Sequence, residues 1–365
     1  LMISLDLRQL PSAFEVYLCR DEGYFPVLIH PRGEEVLAVV RAGAGHVGIT
    51  GRLDAVRSPD GGKTWTAPAV IVDSEVDDRN PAVGQALDGT VILAYHAQGS
   101  YNADSSWAGH LRRMQMRVIR SRDGGVTWEA PQPLNYTAME KHSAYGHIVN
   151  LPDDTMLLPI YGSRIGTTDI SLSAGGLRGG TRDHAYLLRS HDNGQTWGEP
   201  ALIAEGYNET ALLPLPHGDL LAAIRSDDRG QFLGVCRSTD GGWTWDEPTP
   251  VTDAREHPAD LTLLSNGWVV MYFGVRHEPF GVQAYLSKDN GRTWDARLIV
   301  CDDLGENDLG YPSTVRLGDG LVTAYYSAPR RWNEPAYRGE GAFARALLYS
   351  EKELVEAVNS IALKG

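Results

Sequence analysis

Residues Ser58 to Trp65 read SPDGGKTW, and the same frame, Ser-x-Asp-x-Gly-x-Thr-Trp, returns four more times. The other copies are SRDGGVTW at Ser121 to Trp128, SHDNGQTW at Ser190 to Trp197, STDGGWTW at Ser238 to Trp245 and SKDNGRTW at Ser287 to Trp294. Fixed residues kept through every copy mark a structural repeat. The Asp-Gly-Gly or Asp-Asn-Gly centre suits the positive backbone angles of a tight hairpin turn, and the Ser hydroxyl and Asp carboxylate can bond turn amides. Runs suited to strands precede the copies, as in Ala185 to Arg189 and Gln283 to Leu286. Short extended segments follow them, as in Ala67 to Val72, Glu199 to Ile203 and Glu247 to Val251. The octapeptide therefore predicts a hairpin tip between two strands, with its Trp packed between neighbouring units. A calcium loop would need more carboxylates at alternate positions than these segments carry, so no metal is expected.

A second repeat frames the first. Six segments have the form strand, turn, apolar strand, polar end, and they begin near Tyr24-Phe25-Pro26, Arg79-Asn80-Pro81, Tyr145-Gly146-His147, Asn208-Glu209-Thr210, His257-Pro258-Ala259-Asp260 and Tyr311-Pro312-Ser313. Their second strands run into Arg41, His96, Arg164, Arg225, Arg276 and Arg330. The 365 residues thus divide into six units of about 61, each a four-stranded meander. Radial repetition of such sheets predicts an all-β, six-bladed β-propeller, a single unit over residues 1–365. The sixth unit lacks its octapeptide, and Phe14 to Cys19 is expected to supply the missing outer strand. Residues 350–363 follow with helical spacing of Leu354, Val355, Val358 and Ile361, and with Ser350 as N-cap. Long insertions at Ala97 to Gln115 and Ser163 to Asp183 are candidate rim loops over one face.

Composition narrows the partners. Lys plus Arg is 33 against 47 Asp plus Glu, a formal net charge of -14, which disfavours nucleic acid and anionic membrane. Hydrophobic residues make up 42% of the chain, enough for a core, yet no run approaches the ~18 apolar residues of a membrane span. Leu1 to Leu10 lacks a basic region followed by an apolar stretch, and Met2 is a plausible start. The default expectation is therefore cytoplasmic, and a secreted or periplasmic location would require a leader removed ahead of Leu1. Cys19, Cys236 and Cys301 are too few and too scattered for a disulfide framework or a metal site, and no cofactor is expected.

In a propeller of this kind the starts of the first strands and the ends of the second strands share one face near the axis. Polar residues at those places on every unit predict a lined funnel for a polar ligand, an anion or a sugar. Arg outnumbers Lys 28 to 5, which suits bidentate carboxylate recognition and would equally follow from a GC-rich genome. Glu209 with Arg225, Asp78 with Arg79, and Tyr311 are each open to a structural or a ligand-facing role. His147 and His257 read more readily as structural histidines, and Trp107 as either a sugar-stacking platform or a loop anchor.

Over residues 20 to 350 the chain resembles the sialidase (neuraminidase) superfamily, six-bladed propellers with Asp-box (BNR) repeats. That resemblance implies a tyrosine nucleophile assisted by a glutamate, an aspartate acid/base on a mobile loop, and three arginines clamping the substrate carboxylate. Asn208-Glu209-Thr210 and the downstream Arg225 resemble the family's Asn-Glu-Ser stretch, which implies Glu209 as the assisting base and Arg225 in the clamp. Arg276 stands where a second clamp arginine is expected, and Tyr311 matches the nucleophile position. The family's Arg-Ile-Pro reads Tyr24-Phe25-Pro26 here, so Tyr24 replaces a clamp arginine, with Arg41 or Arg79 as possible substitutes. Asp54 and Asp78 are the candidate acid/base residues, and the loop Ala42 to Gly51 contains His46 but no carboxylate. His257 completes the expected ligand-facing set. The implied activity is a retaining exo-glycosidase removing a terminal acidic sugar from a glycan. A glycan-binding propeller without catalysis, or another glycosidase or lyase chemistry on the same scaffold, are the alternatives.

Overall fold

The computed structural model describes residues 2–111, 113–134, 139–164, 183–226, 230–306, 308–331 and 334–363. Within them the strands form six sheets around an axis, a six-bladed β-propeller. Blade 1 runs outward through Tyr24–Arg32, Glu35–Ala42, Arg52–Ser58 and Ala69–Val72, each antiparallel to the last. Blade 2 begins at Asp77–Gln85, blade 4 at Tyr207–Pro214, blade 5 at Glu256–Leu263 and blade 6 at Asp308–Leu317. The inner strand of blade 6 packs against those of blades 5 and 1, so the ring is closed. Phe14–Arg20 pairs antiparallel with Phe343–Ser350 as the outer strand of blade 6, with Phe14 opposite Leu348.

Two features depart from the expected meanders. Ile3–Asp6 adds to the edge strand Ala296–Cys301 of blade 5 in parallel. The inner strand of blade 3 is broken and starts earlier than Tyr145, because Met139–Ala144 and Val149–Asn150 both pair with Met156–Arg164. Between them Gly146–His147 turns aside to pair with Ala82 and Val83 of blade 2. Of the insertion Ser163 to Asp183, residues 165–182 lie outside the described residues.

Each octapeptide is a hairpin tip between the third and fourth strands of its blade, and its fixed residues bond one another. In the first copy the Ser58 hydroxyl donates to Asp60 (2.8 Å) and accepts from the Gly62 amide (2.7 Å). The Asp60 carboxylate accepts from the Thr64 amide (2.9 Å) and hydroxyl (2.7 Å), and Trp65 Nε1 donates to the Gly62 carbonyl (2.9 Å). The second glycine is demanded by its backbone and by its neighbour. Gly125 has φ +82°, and a Cβ there would lie 2.7 Å from Leu37 of blade 1.

The tryptophans explain why the repeat is spaced as it is. Trp65 packs into the cluster between blades 6 and 1, Trp128 between 1 and 2, Trp197 between 2 and 3, Trp245 between 3 and 4, and Trp294 between 4 and 5. The remaining seam, between blades 5 and 6, has no octapeptide to fill it. There the helix Glu351–Ala362 inserts Leu354 and Val358, together with Leu7 and Leu10. Both helix side chains are fully buried, worth roughly 1.5–3 kcal/mol each. The apolar stripe is narrower than its spacing predicts, since Ile361 is exposed. Ser350 caps the helix, accepting from the Glu353 amide at 3.1 Å. No helix among the described residues is long and apolar enough to cross a membrane.

Candidate active site

A shared backbone device aims side chains at the axis. In five inner strands the ladder to the second strand skips two residues at the same level: Phe25-Pro26, Asn80-Pro81, Asn208-Glu209, His257-Pro258 and Tyr311-Pro312. Phe25, Asn80 and Tyr311 adopt φ of 53°, 54° and 49°. Left-handed backbone costs a non-glycine residue ~1–3 kcal/mol, and a residue before proline is normally extended, so the surroundings must impose these bulges. Part of the restraint is Tyr145, whose hydroxyl donates to the carbonyls of Pro26 (3.2 Å) and Tyr311 (3.1 Å). Another part is Gly310, which passes so close to blade 5 that a Cβ would lie 2.8 Å from Gly274 Cα.

The bulges of blades 4 and 6 bring Glu209 and Tyr311 together. The Tyr311 hydroxyl donates to Glu209 Oε1 at 2.5 Å, and Arg225 Nη1 donates to Oε2 at 2.7 Å. Burial raises the Tyr311 phenol above its ordinary range and the Glu209 charge raises it further, outweighing Arg225 and Arg276. The phenol is therefore neutral at physiological pH and needs Glu209 as its base.

Cations surround this pair. The Arg276 guanidinium lies 5.4 Å from the Tyr311 ring centre. Arg79 lies 5.9 Å from the ring of Phe25, which itself packs on Tyr311 at 4.7 Å, and its charge acts on the phenol. Among the described residues, Arg276 Nε and Nη2 and Arg225 Nε are buried without hydrogen-bond partners. So are both ring nitrogens of His257, which burial and then the charges of Arg225 and Arg276 hold neutral. An unpaired buried donor costs about 1–3 kcal/mol, and the open donors of Arg225 and Arg276 beside Tyr311 are chemically able to take up an anionic group.

Other candidates lie elsewhere, for physical reasons. Arg41 is fully buried and committed to Asp77 (2.7 and 3.1 Å) and to the carbonyls of Ala44, Gly45 and Gly48, so it holds a loop rather than a ligand. Tyr24 is likewise buried, its hydroxyl 3.4 Å from that of Tyr337. Asp54 is bound by Arg52 on the third strand of blade 1, at 2.9 Å. Asp78 accepts from the amide and hydroxyl of Ser74 and points away from Arg79, since successive strand residues face opposite ways. His147 ties blades together through the Leu28 carbonyl (2.9 Å) and Asp260 (3.2 Å). Trp107 meets the Tyr101 ring edge-on at 5.5 Å, anchoring the first insertion while staying partly exposed. His96 donates to or accepts from Ser143, Arg330 is exposed, and the side chain of Arg164 lies outside the described residues.

Three participants were not singled out from sequence. Asp77, on the same strand face as Arg79, is bound by Arg41 and by the Tyr101 hydroxyl (2.6 Å); period-two alternation was the signal that could have found it. Tyr145 carried no signal beyond its place at a strand start. Asp308, at the beginning of the blade 6 inner strand, bonds His46 of the neighbouring blade 1 at 2.9 Å, a pairing no local pattern announces.

The family described as BNR repeat-like domain matches residues 40–324. No curated protein matches the chain in sequence. A Dyadobacter fermentans protein of unknown function superposes with a TM-score of 0.74 at 23% identity, covering 93% of this chain and 100% of that one. A Hadza microbial sialidase superposes at 0.67 with 17% identity, covering 91% of this chain and 66% of that one. Trypanosoma rangeli sialidase in complex with sialic acid superposes at 0.68 with 14% identity, covering 99% and 62%. The chain thus spans just under two thirds of each of these two sialidases, and the likeness is one of fold.

Proposed function

The chain belongs to the BNR repeat-like domain family and is a sialidase-like propeller, and on that premise we propose that it is a retaining exo-glycosidase that removes a terminal acidic sugar, sialic acid or a related ulosonic or uronic acid. The observation that carries this reading is the Tyr311–Glu209 hydrogen bond, with Arg225 on the other carboxylate oxygen and the unpartnered donors of Arg276 beside it.

The arginines hold the substrate carboxylate, and charge-assisted hydrogen bonds of this kind contribute roughly 1.5–3 kcal/mol each. The anomeric carbon beside that carboxylate then faces Tyr311. A neutral phenol approaches it without the repulsion a carboxylate nucleophile would meet, the known exception to the paired-carboxylate mechanism. As the Tyr311 oxygen bonds to the anomeric carbon, Glu209 takes the phenol proton, and the bond to the leaving oxygen breaks as that oxygen takes a proton from a general acid. Water, giving a proton back to that acid's conjugate base, then attacks the anomeric carbon of the tyrosyl intermediate, and Glu209 returns its proton to Tyr311. The arginine missing at Tyr24 is supplied from blade 2 by Arg79, whose position across Phe25 supports a clamp of altered shape.

The test is release of fluorophore from aryl glycosides of sialic acid, its deaminated analogue and uronic acids, with Tyr311→Phe as control. Turnover lost in the variant supports the reading, and no turnover on any sugar overturns it. One observation favours a glycan-binding propeller instead: neither Asp54 nor Asp78 is brought to Tyr311 to protonate a leaving group. Binding of an acidic sugar without turnover would establish that alternative.

A further inference from the structure

We propose that His46, positioned by Asp308, is the acid/base residue of this site, an inference that rests on the glycosidase reading above. Three aspartates of blades 1 and 2 are committed elsewhere: Asp54 to Arg52, Asp78 to Ser74, and fully buried Asp77 to Arg41 and Tyr101. His46 occupies the loop between the second and third strands of blade 1, and that loop is a constructed feature. Arg41 donates to its carbonyls at Ala44, Gly45 and Gly48, and Thr50 Oγ1 donates to the Gly43 carbonyl at 2.7 Å. Gly45 lies so near the Tyr337 ring that a Cβ would come within 2.6 Å of it.

So held, the loop reaches blade 6, where His46 Nδ1 bonds Asp308 Oδ1 at 2.9 Å. Asp308 is fully buried, and the same oxygen accepts the Tyr326 hydroxyl at 2.5 Å. With Nδ1 donating to the carboxylate, Nε2 is the nitrogen that exchanges a proton. The imidazole meets Phe25 edge-on at 5.0 Å, and Phe25 packs on Tyr311 at 4.7 Å, so one ring separates it from the nucleophile. His46 keeps partial exposure, as a group that must meet a leaving oxygen and then water requires.

The protons balance through both steps. As Tyr311 bonds to the anomeric carbon and its proton passes to Glu209, imidazolium Nε2–H protonates the departing oxygen, leaving neutral His46 and a free alcohol. His46 then takes a proton from the attacking water, whose oxygen displaces Tyr311, and Glu209 returns its proton to the phenolate. Asp308 is a positioning residue that stabilises the imidazolium. Burial first, and then the charges of Arg79 and Arg276, outweigh Asp308 and hold the ring below its ordinary range, so the imidazolium is a ready proton donor populated toward acid pH.

The experiment compares wild type with His46→Ala and His46→Gln on one acidic sugar carrying either a nitrophenyl or an alkyl aglycone. An acidic aryl alcohol leaves without help, so kcat/KM should fall less than about tenfold on the nitrophenyl substrate and about 10²–10⁴-fold on the alkyl one. Azide should restore turnover of the nitrophenyl substrate, and thermal melts separate this from misfolding. Asp308→Asn should move the alkaline limb of kcat/KM to lower pH, because the imidazolium loses its counter-ion while Arg79 and Arg276 remain. Equal losses on both aglycones, without azide rescue, would overturn the His46 assignment alone. A wild type that releases no aglycone from any acidic sugar would overturn the glycosidase reading and this inference with it.

Discussion

Replacing Glu209 by Gln separates the two duties the site assigns to that carboxylate. In the native protein one oxygen accepts the Tyr311 hydroxyl at 2.5 Å and the other accepts Arg225 at 2.7 Å. An amide keeps an acceptor in the same place and cannot take the phenol proton. Loss of a general base lowers kcat by about 10²–10⁴-fold, or roughly 3–5 kcal/mol. Binding should move the other way. A ligand carboxylate on the free side of Arg225 would lie about 7 Å from the Glu209 charge, a repulsion of about 2 kcal/mol at an effective dielectric near 20. Removing it should tighten an unreactive acid by up to about thirtyfold, less whatever solvent already screens. The assay pairs kcat on an aryl glycoside with calorimetric affinity for an unsaturated sialic acid analogue. If kcat stays within about threefold of wild type, or affinity falls along with kcat, Glu209 is a structural counter-ion and the reasoning is refuted.

The other outcomes follow from single contacts. Tyr311→Phe should abolish turnover while leaving acid affinity within severalfold, and should cost about 1–3 kcal/mol of stability because buried Glu209 Oε1 loses its donor; denaturant melts and calorimetry read both. Arg276→Ala should weaken an acidic ligand about tenfold or more while leaving its methyl ester unaffected, since only the carboxylate uses the unpartnered guanidinium donors. Burial lifts the Asp78 carboxyl to about 6, above its unfolded range, so its contribution is complete below about pH 4 and disappears as pH rises through 6. Asp78→Asn should therefore gain on wild type by up to roughly 3 kcal/mol between pH 4 and 7 in urea melts, and a gap that does not change with pH would contradict this. Gly125→Ala should cost at least about 1–3 kcal/mol, from left-handed strain and the contact with Leu37.

The propeller could be read from sequence because the octapeptide is a closed local code: Ser, Asp, Gly and Thr satisfy one another within eight residues, whatever the rest of the chain does. Phe14–Arg20 could be inferred as the closing strand because the sixth unit was one strand short. Ile3–Asp6 could not, since joining a sheet edge in parallel leaves no periodic mark beyond strand alternation. At the site, Tyr311, Glu209, Arg225 and Arg276 stand at strand starts and ends that the repeat itself locates. Choosing Arg79 over Arg41 required knowing that Asp77, on the next blade, binds Arg41. The sequence reading names Asp78, and only the pleat shows that Asp77 shares a face with Arg79. His46 and Asp308 are 262 positions apart, and only the closed ring makes them neighbours.

The two-residue bulges have a consequence for how such a protein changes its ligand. Phe25, Asn80, Asn208, His257 and Tyr311 occupy one rung of a ladder wrapped into a circle, an apolar ring, two amides, an imidazole and a phenol on matching backbone. The scaffold works like a tool turret, with the holder repeated and the bit left variable. Five of the seams between blades are filled by tryptophans at the far end of the sheets and the sixth by Leu354 and Val358 of the helix, so exchanging one bit leaves those seam residues in place. Ligand chemistry and the filling of the seams are thereby set largely by different residues at opposite ends of the same strands, and selection can change the one with small effect on the other.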